Sequence, residues 1–309
     1  MYYRIDSSPT TGSSLAVRYQ WEATIVVVGC GGTGSFLAEA ICRLLIGRKA
    51  QLYLVDMDRV EEHNVGRQSF DRGDVGRFKA QVLAERLSRR FEREVGYSIL
   101  PYDRALHSQV FSGEPSRLNL LVGCVDNAAA RRDIAATLDQ PVMGYAYPCN
   151  AGAIWWLDCG NGRNSGQVLL GNMTQPEQLR GAFLPQLGIC RALPAPSLQR
   201  SDLLEAPPRL EPRPDCAEAV AAADQGPTIN QTVAAVAVTY AEKLMASTCS
   251  WMATYLDLDD GLLHCVAAEP KTVASLLGLH PNAVVRSNGK STILSVTDLT
   301  PGSSGEPPN

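Results

Sequence analysis

This chain of 309 residues is predicted to be an α/β protein: a mostly parallel sheet in the first half, continuing into antiparallel strands, with helices on both faces. Three observations predict this. The runs at 24–28 (TIVVV) and 118–122 (LNLLV) are short and apolar, with β-branched residues prominent in the first, as in strands buried on both faces. Stretches with apolar residues at helical spacing alternate with such runs. Beyond residue 150 the alternation stops, and strands follow one another without an intervening helix.

Taken in order, residues 1–22 read as a polar N-terminal arm, and 24–28 as the first buried strand. Residues 34–46 carry Phe36, Leu37, Ala40, Ile41, Leu44 and Leu45 on a helix that Gly47 ends. The second strand is 51–55. An amphipathic helix covers 79–91, a third strand 95–100, a fourth 118–122, a helix 128–138 and a fifth strand 141–147. Residues 151–157 and 167–170 are expected to pair antiparallel around a turn at 158–162 (DCGNG). The proline-rich stretch 171–214 shows little periodicity and is expected to be a long crossover segment, a length that usually signals function or disorder. A helix over 228–246, capped by Thr228 with Gln231, follows. After it come a hairpin over 255–267 turning at Asp259-Asp260-Gly261, a short helix at 271–277 and a last strand at 292–296. The expected organisation is thus one domain over 23–300, with a nucleotide-binding half (23–150) and an acceptor-binding half (151–300). Residues 301–309 form a disordered tail.

Composition narrows the function classes. With 45% hydrophobic and 19% charged residues the chain reads as soluble and globular, and a net charge of −4 gives no electrostatic reason to expect nucleic acid or an anionic membrane. No apolar run is long enough to span a bilayer and no secretory core follows Met1, so a cytoplasmic location is expected. Nine cysteines, an odd number without C-x-x-C spacing, argue against a disulfide framework and against a common structural zinc site, so no zinc is expected.

The chemistry begins at Gly29-Cys30-Gly31-Gly32-Thr33-Gly34, between the first strand and its helix. Gly29 permits the tight turn, Gly31 and Gly32 let backbone N–H groups approach phosphate oxygens, and Gly34 lets the helix pack close to the strand. Asp56, at the end of the next strand, is placed to take ribose hydroxyls, which completes a Rossmann-like nucleotide site. A nicotinamide-dependent oxidoreductase would satisfy that much. Asp58, Asn64, Arg67, Gln68 and Lys79, with Asn127 and Arg131 further on, favour instead a triphosphate whose pyrophosphate departs, because long cations and an amide spread its developing charge. Asp126 follows a buried strand at the sheet's carboxyl edge, where one carboxylate with phosphate oxygens suits magnesium.

This ordered series resembles the ThiF/MoeB adenylyltransferases and the ubiquitin-activating enzymes. The resemblance covers about residues 20–270 and rests on Gly29-x-Gly31-Gly32-x-Gly34, on Asp56-x-Asp58 through Asn64 and Arg67-Gln68, on Lys79, and on Cys124-Val125-Asp126-Asn127 with Arg131. The run from Trp156 to Gly171 is most similar to the ThiF-type proteins of the bacterial PRTRC system. The resemblance implies ATP and Mg²⁺ as cofactors, with Asp56 on the ribose, Arg67 and Lys79 on phosphates, Asn64 assisting and Asp126 on magnesium. It implies an acceptor carboxylate on the C-terminal glycine of a ubiquitin-like or sulfur-carrier protein, and a homodimer. Arg4 and Arg18 are both available as a cross-subunit arginine, and neither is assigned. Other members activate a small-molecule or tRNA-base carboxylate, or serve as non-catalytic ATP-binding subunits; both readings stay open.

A thioester step would need a cysteine. Cys216 follows Asp215, and Glu218 completes a capping pair, so the thiol is expected at the first helical position, where the positive end of the helix lowers its pKa. In the family the crossover segment carries the catalytic cysteine near its end. Cys190, between Gly188 and Pro194, is the lesser candidate and reads as plain loop.

Overall fold

The computed structural model describes residues 1–4, 21–111, 116–138, 154–205 and 227–286. The expected strands at 141–147 and 292–296, the tail, Arg18 and Cys216 lie outside them.

The chain enters with β1 (Tyr2–Arg4), then β2 (Trp21–Val28), α1 (Gly32–Leu44), β3 (Ala50–Val55), α2 (Lys79–Phe91) and β4 (Val95–Ser98). Next come α3 (Arg104–Phe111), β5 (Ser116–Gly123), α4 (Ala128–Thr137), β6 (Trp155–Asn161) and β7 (Ser165–Gly171). The two-stranded pair β8 (Phe183–Leu184) and β9 (Ile189–Cys190), the single turn α5 (Pro196–Gln199) and the long helix α6 (Pro227–Met245) follow. The last described elements are β10 (Trp251–Asp257), β11 (Leu262–Ala267), α7 (Pro270–Leu276) and α8 (Pro281–Val284). The main sheet runs β1-β4-β3-β2-β5-β6-β7-β10-β11. It is parallel from β1 to β6, and β7, β10 and β11 add antiparallel neighbours.

The apolar run of β2 explains the layering. Ile25 and Val27 point into the larger core with Leu37 and Ile41 of α1, Leu83 of α2 and Tyr240 of α6. Val26 and Val28 point to the other face, with Leu106 of α3 and Ile134 of α4. Each such fully buried branched side chain contributes about 1.5–3 kcal/mol of burial free energy, so β2 anchors both layers. Among the described residues no helix is long and apolar enough to cross a membrane.

Several expectations need correction. Within the expected polar arm, Tyr2–Arg4 is a strand: it pairs parallel with β4 and lays Tyr2 and Tyr3 against Tyr97 and Tyr53. Asp158–Asn161 is not a turn but the second half of β6; the chain reverses at residues 162–164. Turn-type composition is overridden there because Asp158, fully buried, meets the guanidinium of Arg131. The crossover segment is structured through residue 205: Cys190 is in β9 rather than loop, and Asn172 and Met173 dock on Leu193. Pro227, well suited to a first helical position, starts α6 one residue before Thr228. Thr228 is therefore inside the first turn and not its cap. Helix α3 had no counterpart in the expected order.

Candidate adenylation site

The carboxyl ends of β2, β3, β5 and β6 and the beginnings of β7 and β11 share one edge of the sheet, where a cleft of about 1210 Å³ opens. The glycine turn forms its floor. Gly29 has φ +89, and a Cβ there would stand 2.5 Å from the carbonyl oxygen of Cys124. A Cβ on Gly34 would lie on the carbonyl oxygen of Gly29, so this residue packs the helix start against the turn and does not line the cleft. Gly31 and Gly32 do line it. Gly32 answers to a second demand, since its missing side chain leaves room for the amide of Asn230.

Asp56 clamps this turn to β3. Its Oδ2 accepts from the Cys30 N–H at 2.6 Å and its Oδ1 from the Asp58 N–H at 2.8 Å. Burial raises its pKa above the usual carboxylate value, and the Cys30 N–H bond opposes that rise. The neighbouring Cys30 thiol is buried and pushed well up by desolvation and then by Asp56, which leaves it a packing group.

The loop after β3 brings in the polar set. Asn64 is buried, and its Oδ1 accepts from the Glu61 N–H at 3.0 Å, so the amide shapes the loop as well as lining the cleft. Ser35 of α1 accepts from the Ser69 N–H at 3.0 Å and draws the Arg67-Gln68 stretch onto the glycine turn. Arg67 and Gln68 both line the cleft. Lys79, at the start of α2, is 8% exposed and reaches Asp58 Oδ2 at 3.3 Å. The exposed partner and the buried ammonium make a pair that an incoming phosphate can compete for.

Across the cleft, Asp126 is exposed beyond β5, and Asn127 caps α4 by accepting from the Ala130 N–H at 2.9 Å while its Nδ2 donates to Asp126 at 3.3 Å. An open carboxylate on the cleft wall fits magnesium bound through one protein ligand and phosphate oxygens. Arg131 lines the cleft but is a buried ion-pair partner: its Nε reaches both oxygens of Asp158, at 3.1 and 3.2 Å. Arg131, expected among the nucleotide-binding residues, thus stands on the cleft wall with its Nε engaged by Asp158.

The cleft continues past β6 to Gln167, Tyr255 and Leu262, under Arg200 of the crossover segment. Arg200 donates to Gln167 Oε1 at 3.2 Å and grips Asp202 at 2.6 and 2.7 Å. These residues were missed from the sequence, because a polar group on a strand or loop rim carries no periodic signal. Asn161, at the end of β6, was missed for the same reason, and Asn230, buried in α6, because its partners are distant in the chain. Cys190 is half-buried, its thiol pushed up to about 11 by burial, with Sγ 3.3 Å from the Ala192 carbonyl oxygen. Arg4 is in β1 at the far edge of the sheet, beside Tyr97.

Ubiquitin-like modifier-activating enzyme 5 of Gallus gallus is 30% identical over 161 residues, 48% of this chain and 36% of that protein. The Dictyostelium discoideum enzyme of the same name is 35% identical over 123 residues, 36% of this chain and 31% of its own. The matched stretches thus span about a third of those relatives. Among solved structures, PaaA superposes with a TM-score of 0.51 at 15% identity, covering 80% of this chain and 64% of that one. E. coli MccB with ATP superposes at 0.50 and 16% identity, covering 79% and 63%, a likeness of fold. The ThiF family model matches residues 21–259, from β2 through the turn after β10, and with that span the chain belongs to the ThiF family.

Proposed function

We propose that this protein adenylates the C-terminal carboxylate of a small ubiquitin-like or sulfur-carrier protein, using ATP and magnesium. The observation that carries the proposal is the single cleft joining two differently built halves. The glycine turn, Asp56, Arg67 and Lys79 line one half, and Gln167, Arg200 and Tyr255 line the other. Two reactants can therefore meet over one floor, and positioning them is most of what such a reaction needs.

In the reaction, a carboxylate oxygen of the acceptor forms a bond to the α-phosphorus of ATP while the bond from that phosphorus to the bridging oxygen breaks. Pyrophosphate leaves with that electron pair, and the acceptor becomes an acyl-adenylate. Asp56, fixed by the Cys30 and Asp58 N–H groups, faces the ribose. Lys79 exchanges Asp58 for a phosphate, and Arg67, on the same loop after β3, meets the departing charge. Asp126 would hold magnesium, which when bound neutralises charge on the phosphate oxygens. The name shared by the sequence relatives supports a modifier protein as acceptor. A homodimer and transfer of the acyl group to Cys216 belong to the same reading.

ATP–pyrophosphate exchange tests it. Exchange should appear only when a Gly-ended partner is added, and ATP with magnesium should bind where NAD does not. A folded sample that binds ATP yet exchanges with no Gly-ended partner would overturn the proposal.

A further inference from the structure

Asn230 stands where the two halves of the cleft meet. It lies in the first turn of α6 and is fully buried. Its Oδ1 accepts from Asn161 Nδ2 at 3.1 Å and from Thr33 Oγ1 at 3.3 Å, and its Nδ2 donates to the Arg67 carbonyl oxygen at 3.5 Å. Thr33 Oγ1 also lies 3.0 Å from Asn161 Oδ1, which closes the ring. The three partners come from the start of α1, the end of β6 and the loop after β3. A Cβ on Gly32 would fall 2.4 to 2.6 Å from the Asn230 amide atoms, so a glycine of the nucleotide turn is matched to this one side chain.

A buried amide is an unusual choice for a helix face that otherwise presents Ile229 and Val233 to the core. Packing alone would be served by leucine at no hydrogen-bonding risk. What the amide adds is direction: it ties the backbone of Arg67 to the turn that faces the nucleotide and to the strand end that faces the acceptor. We propose that Asn230 is a positioning residue for adenylation, acting through Arg67 and Asn161 to hold the two halves of the cleft in register. This rests on the adenylation reading. A displacement of about 1 Å at such a point lowers a rate by about 100-fold without removing any group that touches substrate.

The test combines turnover with stability. Asn230→Ala is expected to lower kcat for partner-dependent ATP–pyrophosphate exchange by roughly 10- to 100-fold, with KM for ATP within about threefold of wild type. In an Arg67→Ala background the same change should lower kcat by a clearly smaller factor, because one of the two residues it positions is already gone. Asn230→Ser, smaller but still hydrogen-bonding, serves if the alanine variant folds poorly, and should recover part of the rate. Equal losses of kcat in both backgrounds would reduce Asn230 to a structural residue and overturn the proposal. So would an unchanged kcat.

A second arm needs no acceptor. Gly32→Ala should lower the thermal midpoint, and Asn230→Ala, which makes room for the new methyl group, should give back part of that loss. Additive losses would mean that the contact is not there. A wild type inactive with every Gly-ended partner rejects the adenylation reading and this role with it. An active wild type with an unaffected Asn230→Ala rejects the role alone.

Discussion

The Nε of Arg131 donates to both carboxylate oxygens of Asp158, at 3.1 and 3.2 Å, in the interior between α4 and β6. Asp158 has no exposed surface and Arg131 only 7%. Burial pushes the carboxyl up to about 6, and the guanidinium works against that rise. The pair allows a charged residue in mid-strand and so lets β6 continue to Asn161 at the cleft. Removing one partner leaves a buried group without compensation. Arg131→Met is expected to lower stability in urea by about 3–5 kcal/mol, and pairing it with Asp158→Leu should recover most of the loss. A single variant within 1 kcal/mol of wild type, as surface changes usually are, would show that β6 does not depend on the pair.

Asp126 offers the opposite case. Its side chain is exposed and bonded to the neighbouring Asn127 amide, so little of the fold rests on it. Asp126→Ala should leave stability within about 0.5 kcal/mol of wild type. Partner-dependent ATP–pyrophosphate exchange, in contrast, should fall by about 100-fold or more, since charge on the phosphate oxygens is no longer met. Exchange retained at the wild-type rate would place the metal on another residue.

What could be read from the sequence follows a physical division. The strand at β2 was legible because Ile25, Val26 and Val27 must all be apolar to be buried on both faces, and a run of this kind has few other readings. Gly29 and Gly34 were legible because their backbone conformation or close approach excludes a side chain. Asp158 was misread because a carboxylate in DCGNG looks like turn chemistry until Arg131, 27 residues away, is brought beside it. Asn230 was invisible for a related reason: its three partners are 69, 163 and 197 residues away in the chain. Local pattern carries no trace of such contacts. Gly32, assigned to phosphate approach alone, could not reveal a second duty before α6 was in place.

The proposed thioester step separates two cysteines. Cys190 is held in β9 with a thiol pushed up to about 11, which leaves almost no thiolate near neutrality. Cys216 lies outside the described residues and is the proposed nucleophile on its sequence context after Asp215 alone. With ATP and the partner protein, a reductant-sensitive adduct should form in wild type and in Cys190→Ala and vanish in Cys216→Ala, while exchange persists in all three. An adduct surviving in Cys216→Ala would move the nucleophile elsewhere.

His107 supplies a pH signature of the fold beside the cleft. The ring is 2% exposed, its Nδ1 lies 2.7 Å from the hydroxyl of Tyr102, which itself lines the cleft, and it packs on Phe111. Burial lowers its pKa from 6.5 to about 4, so the native state keeps the imidazole neutral where the unfolded chain takes up a proton. The sign follows from a depressed folded pKa on a basic group. The contribution is full above 6.5 and is lost as pH falls from there towards 4, up to about 3 kcal/mol in all. Asp158 acts with the opposite sign, because its folded pKa is raised: its contribution is full below the ordinary carboxylate value and is lost as pH rises through about 6. Between pH 4 and 6 the two slopes oppose one another in the wild type. His107→Gln removes one of them, so its urea stability should decline less than that of wild type as pH falls below 6.5. Profiles that stay parallel from pH 7 to 4 would mean that His107 titrates as it does in water and is not held neutral by the core.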